Sequence, residues 1–558
     1  MATAYDETQD AQIRANSEAI REQTRCLREL RDHFLPQEEE RRFKRLRKYL
    51  LGPVLKLFGI FVFICGLWDF GGWYLDRLEI ARMARHYAEV AKRMYYEEGN
   101  ATVASAFLDK AIEMQGEDPE YRFLRAYIQG LSSTRLLLNL DRPFDKAELD
   151  LVHTALAEAR FLQELKPSRA EPYLLQAQIL LALKEVDRAA GLLERAKSLS
   201  PNNDFVHLRM AQLYLDYQKN VGKAELELAE VEKINPKSKW LWLWRGILAK
   251  DYRKDFVVAR SCYEKALEID SKFDQALCNL GWTWMSGPSV ERDYAKAREY
   301  FLRAIKVNPE FKEAYYAMGM AYGYEDNYLV AKTWYSKAIG IDEKFLTAYK
   351  WRGIVLSEMS DWDGAVADFD SALSLDPMNA DLYVRRGMAF ERQNKPDKAL
   401  ADLRFASELE PNNARMFYYQ GNLFTHIGEF VKAVDFYNKA LAIQVDYDDA
   451  FVGKARALAK TGDLTGAIQA VDAAIAVVKY KPERHWLEKG SLLLGFDRKK
   501  EALACFSQAI ELNPKFAAAY RRDAEVALSL GDTERMRQRV VKYLELVPTD
   551  TEVRKWLK

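Results

Sequence analysis

Cysteine is scarce in this chain. Five cysteines, at 26, 65, 262, 278 and 505, are scattered over 558 residues with no CxxC pair. That excludes a disulfide framework and a thiolate zinc site of ordinary spacing. The six histidines, at 33, 86, 153, 207, 426 and 485, fall into no ligand spacing. Neither sign of charge dominates, because Lys+Arg and Asp+Glu each number 83. This argues against a dedicated nucleic-acid binder. With 16 prolines and 27 glycines there is little material for many strand-to-strand turns. HExxH, GxGxxG, GxSxG and the glycine-rich phosphate loop are all missing. No catalytic, cofactor or metal site is therefore expected. What is abundant is apolar material, 49% of residues, enough for a large and mostly helical core.

One long apolar run stands out. Residues 50–68 read LLGPVLKLFGIFVFICGLW, with Lys56 as the only charge. Nineteen helical residues span roughly 28 Å, close to the hydrocarbon thickness of a bilayer. Trp68, Trp73 and Tyr74 follow, where an interfacial aromatic belt would lie. Arg41, Arg42, Lys44, Arg45, Arg47 and Lys48 precede it. The positive-inside bias then sets the amino terminus in the cytoplasm and the rest of the chain on the far side. A single-pass protein of a bacterial inner membrane, anchored through 50–68, is the expectation. The uninterrupted stretch Leu57 to Trp68 has only 12 residues, a length that a buried helix also adopts. Ahead of it, Ile13, Ile20, Leu27 and Phe34 recur every seven residues. Such a seam serves either homo-oligomer formation through a short helix or a solvated amphipathic helix. Residues 1–49 are thus a helical and basic segment, and 50–75 a transmembrane helix with its flank.

The strongest signal is internal repetition. One alanine recurs in a fixed phrase at 155, 189, 224, 259, 297, 331, 365, 399, 433, 467 and 502. The spacing is 34 or 35 residues except for one step of 38, from Ala259 to Ala297. A second alanine follows seven residues later in most units, as in Ala331 and Ala338. Two helical turns separate them, so both lie on one face. Between them stands a large residue such as Tyr263, Phe301, Tyr335, Phe369, Tyr437 or Phe506. A preceding helix carries an aromatic and, four residues on, a small residue, as in Tyr315 and Gly319 or Tyr349 and Gly353. The turn between the helices often reads Gly-acid-bulky, as in Gly428-Glu429-Phe430, and a proline commonly closes the unit.

This pattern resembles the tetratricopeptide repeat (TPR) family, over about 170–548 and eleven units. The resemblance implies an all-α fold: a TPR α-solenoid superhelix preceded by a single transmembrane helix and a short N-terminal helix. Residues 76–166 read as divergent helical repeats that keep the alanine pair at Ala104 and Ala111. The array is set at 167–548, with 549–558 as a C-terminal tail. Met536 and Tyr543 replace the alanines in the last unit, which fits a terminal capping repeat. The resemblance also implies a concave groove lined by the first helices. Aromatic and apolar residues at inward positions, Trp240, Trp282, Tyr316, Met320, Tyr324 and Tyr418, are the candidates to bind a partner there. They serve either as that surface or as packing between neighbouring first helices. Two functions are open: a non-catalytic membrane-anchored scaffold that binds a protein or peptide partner, or an envelope factor assisting export or assembly of a polysaccharide or secreted polypeptide.

Overall fold

The computed structural model describes residues 79–91, 101–115, 120–121, 124–125, 142–288, 292–478 and 480–557. The N-terminal helix and the apolar segment 50–68 lie outside the described residues. Among the described residues every regular element is helical, and no helix is long and apolar enough to cross a membrane.

The chain divides into two compact units, Met1–Gln129 and Gly130–Lys558. In the first, helix α1 (79–91) and helix α2 (Ala101–Met114) pack through small residues. Ala84, Ala88 and Ala91 share one buried cluster with Ala104, Leu108 and Ala111.

The second unit opens with α3 (Lys146–Leu165), a helix that the sequence pattern grouped with the divergent segment. Eleven helix pairs follow. They are α4/α5 (Glu171–Ala182, Val186–Leu199), α6/α7 (Asp204–Gln212, Val221–Ile234), α8/α9 (Lys239–Ile247, Phe256–Ile269) and α10/α11 (Asp274–Ser286, Tyr294–Val307). Next come α12/α13 (Lys312–Gly323, Tyr328–Ile341), α14/α15 (Leu346–Glu358, Trp362–Leu375), α16/α17 (Ala380–Arg392, Pro396–Leu409) and α18/α19 (Ala414–His426, Phe430–Ile443). The last are α20/α21 (Asp448–Lys460, Leu464–Val477), α22/α23 (Glu483–Gly495, Lys499–Leu512) and α24/α25 (Ala517–Ser529, Thr533–Leu546).

The recurring alanines are the hinge of each pair. Ala297, Ala331, Ala365, Ala399 and Ala433 have no exposed surface. The large residue between them packs on the small residue of the first helix. A Cβ added to Gly246 would meet the Tyr263 ring at 2.3 Å, and one on Gly319 would meet Tyr335 at 2.5 Å. Gly281, Gly353, Gly421 and Gly490 face Phe301, Phe369, Tyr437 and Phe506 in the same way. Where the small residue is Ala177, Ala211, Ala455 or Ala524, the matching position in the second helix holds only Leu193, Leu228, Val471 or Val540. Volume on one helix is thus balanced by its lack on the other, as a close-packed interior requires.

Irregular spacing has a physical form. Ala189 to Ala224 and Ala224 to Ala259 are 35-residue steps. There α6 and α8 end in π-helical turns, Leu213–Tyr217 and Leu248–Tyr252, which absorb one extra residue. The 38-residue step lies instead in the turn between α10 and α11. Gly428, a turn glycine of the sequence pattern, and Gly462, one repeat later, have φ of +85° and +87°. That left-handed backbone is the one glycine adopts most readily.

Residues 551–557 pack on the last helix pair. Helix α26 (Thr551–Arg554) continues into a 3-10 turn, Lys555–Leu557. Val553 is fully buried in one cluster with Met536, Val540 and Tyr543. The bulk of Met536 and Tyr543 is therefore met by the last residues of the chain. Arg535 grips Asp523 beneath them at 2.6 and 2.7 Å.

Candidate functional site

From α6 to α22 most first helices touch the next first helix. Second helices do not approach one another to that degree. The stack therefore curves with its first helices inside, and their outward-turned residues line the concave side.

The six candidate residues divide on this surface. Trp282 and Tyr316 come together, with ring centroids 6.1 Å apart, on neighbouring helices α10 and α12. Both are half-buried, Trp282 resting edge-on against Phe301 and Tyr316 against Phe345. Trp240 packs edge-on against Phe273 at 4.9 Å. Tyr418 lies on Tyr447 at 5.2 Å. These residues therefore pack between units and still keep part of their surface open. Met320 is only 6% exposed and belongs to the core, so it offers a partner almost no surface. Tyr324, 57% exposed, stands at the inter-helix turn, where its ring stacks on Tyr294.

Phe273, Phe345 and Tyr447 occupy one structural position, the residue before a first helix. Two of them are further stitched by a cation. Lys239 lies 4.8 Å from the Phe273 ring and donates to Asp270 at 2.5 Å. Lys312 lies 4.7 Å from Phe345 and donates to Asp342 at 2.6 Å. The Asp342 carboxyl is pushed up by burial, but the Lys312 bond and a backbone N–H outweigh this and hold it below the usual carboxylate range.

Sequence patterning passes over a second feature. The lengthened turn between α10 and α11 borders an open hollow of about 570 Å³ lined by Arg260, Trp284, Arg292, Asp293, Tyr294 and Glu325. The Trp284 ring has Lys296 Nζ at 3.7 Å and the Arg260 guanidinium at 4.4 Å. Its indole N–H is buried and meets no acceptor. The only sequence signal is the WTW triplet, Trp282 to Trp284, ahead of an insertion.

Cys262, Cys278 and Cys505 are buried free thiols. Burial pushes the Cys278 thiol up to about 12, so it stays protonated at neutral pH. Among the described residues no group of three His, Cys, Asp or Glu is placed to hold a metal ion.

Fold and surface together define a curved helical-repeat solenoid with an aromatic concave side. Tetratricopeptide-repeat models match residues 143–204, 352–404, 384–448 and 487–537, and a further one matches 312–345. No curated protein matches the sequence. Among solved structures, yeast Tom70 is 17% identical, covering 84% of this chain and 99% of that one, at a TM-score of 0.41. MamA is 24% identical over 32% of this chain and 96% of that one, at a TM-score of 0.28. YrrB, described as a TPR protein with an unusual peptide-binding site, is 21% identical over 35% of this chain and 97% of that one, at a TM-score of 0.28.

Proposed function

We propose that this chain is a membrane-anchored scaffold that binds a protein or peptide partner on the concave side of its repeat array. The observation that carries the reading is the Trp282–Tyr316 pair. Both rings lie on the first-helix side and retain open surface although the Phe301, Tyr335 and Phe345 rings they rest on are buried. Large flat rings with few rotamers are suited to anchor a partner segment. The anchor is residues 50–68, with the amino terminus in the cytoplasm and the array on the far side.

Affinity capture from detergent-solubilised membranes with the full chain tests the binding reading. The partner retained by the natural protein should be lost from Trp282→Ala/Tyr316→Ala at equal loading and unchanged helical circular dichroism. Retention by the folded double variant would move the site elsewhere. Alkaline carbonate extraction tests the anchor separately. The chain should stay in the pellet, and its release intact into the supernatant would rule out an integral anchor.

A further inference from the structure

The start of the array touches a point about two hundred residues further along. Arg142 lies just ahead of α3, and its guanidinium is 3% exposed. Two of its nitrogens donate to Glu148, at 2.8 and 2.6 Å. A third, Nε, donates across the stack to the carbonyl of Lys344 at 3.3 Å. Lys344 answers in the other direction. Its ammonium donates to Asp145 at 2.6 Å and lies 3.7 Å from Glu148. Asp145 and Glu148 are themselves fixed by a reciprocal capping box at the start of α3.

Lys344 belongs to the turn between α13 and α14. Every helix from α3 to α14 packs on its successor. The cross-contact therefore joins the two ends of the continuous stretch from α3 to α14 within the longer stack. We infer that these four residues form a latch that closes one superhelical turn of the array into a ring. The inference rests on the reading of the concave side only for its consequence. Trp240, Trp282 and Tyr316 lie within the closed stretch, whereas Tyr418 lies beyond it. A partner reaches those three rings along the axis of the ring, as an extended polypeptide segment does, or after the latch opens.

The latch is built to open without unfolding. Among the described residues the Lys344 carbonyl and ammonium make the polar contacts with Arg142, Asp145 and Glu148 across the seam, and the Lys344 side chain is half exposed. Such a contact is weak alone and screened by salt. The Arg142–Glu148 pair stays on one side of the seam, so the docking surface remains organised when the seam parts.

Zero-length carbodiimide cross-linking of the full chain tests this, since it joins an amine to a carboxylate only at ion-pair distance. Mass spectrometry of a mixture of light and heavy-isotope chains separates links within a chain from links between chains. A link between Lys344 and Asp145 or Glu148 should form within one chain. The Lys489–Asp472 pair, at 2.6 Å between adjacent units outside the closed stretch, serves as the internal reference. Arg142→Ala leaves every cross-linked group in place yet should cut the seam link at least about tenfold, because it removes the donor to the Lys344 carbonyl and the pair that holds Glu148 in place. The reference link should not change, which also reports that the variant is folded. Absence of the seam link beside a normal reference link would overturn the latch. So would a seam link only between chains, or one indifferent to Arg142→Ala. Failure of Trp282→Ala/Tyr316→Ala to affect partner capture would leave this result untouched.

Discussion

The concave side differs before and after the turn at residue 342. Before it, Trp240, Trp282 and Tyr316 present rings with surface left open. After it, Tyr418 is the one remaining ring of the six candidates, and first helices carry charges that are matched within the array. Asp381 receives Lys350 from the neighbouring unit at 2.7 Å and Arg385 at 2.9 Å. Arg456 and Glu488 pair across the next units at 2.6 Å. A surface whose ion pairs are already closed gains little by adding a partner, since each new contact must first break an old one. Open aromatic area has no such competitor. On the proposed reading, partner binding falls to the earlier stretch and unit-to-unit registration to the later one.

Three changes would break or sharpen that contrast. The largest effect should come from the core beneath the aromatic stretch. Tyr335 is 1% exposed and sits against Gly319. Tyr335→Ala should lower stability by about 3–5 kcal/mol in urea titration. Tyr316→Ala, on the half-buried ring above it, should cost distinctly less. Equal losses would make Tyr316 a core residue and weaken the functional reading.

A smaller effect is expected from the glycines. Gly319→Ala would drive a methyl group to 2.5 Å from the Tyr335 ring, costing about 1–3 kcal/mol by overpacking. Gly387 faces Leu403, whose nearest carbon would lie at 3.2 Å. There the helix-forming gain of about 1 kcal/mol for alanine offsets the crowding, so Gly387→Ala should be close to neutral. The two denaturation midpoints, measured side by side, report whether aromatic and aliphatic units are packed by the same rule.

The smallest effect belongs to the charged stretch. Burial raises the Asp381 carboxyl, but the bonds from Lys350 and Arg385 outweigh this and hold it below its ordinary value. A depressed carboxyl stabilises the fold above its unfolded pKa and loses that contribution as pH falls through the folded one. Asp381→Asn should therefore cost at most about 1 kcal/mol at pH 7, with the difference from the natural protein vanishing at strongly acid pH. A difference that grows on acidification would contradict the ion-pair assignment.

Much of this molecule is legible in its sequence because the repeat writes each contact many times. Ala365 and Gly353 could be placed on touching faces from spacing alone, and Phe369 between them. What escapes is whatever happens once. The 35-residue steps are visible, but spacing cannot say that the extra residue becomes a π-turn at Leu213–Tyr217. Asp361 looks like an exposed turn residue, yet its carboxylate caps α15 by accepting from the Gly364 N–H at 3.0 Å. Met320 occupies an inward register position, but the crowding of Tyr335 and Trp282 around it takes it into the core. The contact of Arg142 with Lys344 depends on the accumulated curvature of the intervening units, a property of no single repeat.

The most direct test is the affinity of the full chain for its captured partner, compared between two double variants. Trp282→Ala/Tyr316→Ala removes open rings from the earlier stretch, and Lys350→Ala/Arg456→Ala removes matched charges from the later one. With both variants shown to be folded, the first should lose about 2 kcal/mol or more of binding energy, the hot-spot scale. The second should stay within about 1 kcal/mol of the natural protein. The reverse order, or equal losses, would contradict the assignment of binding to the aromatic stretch.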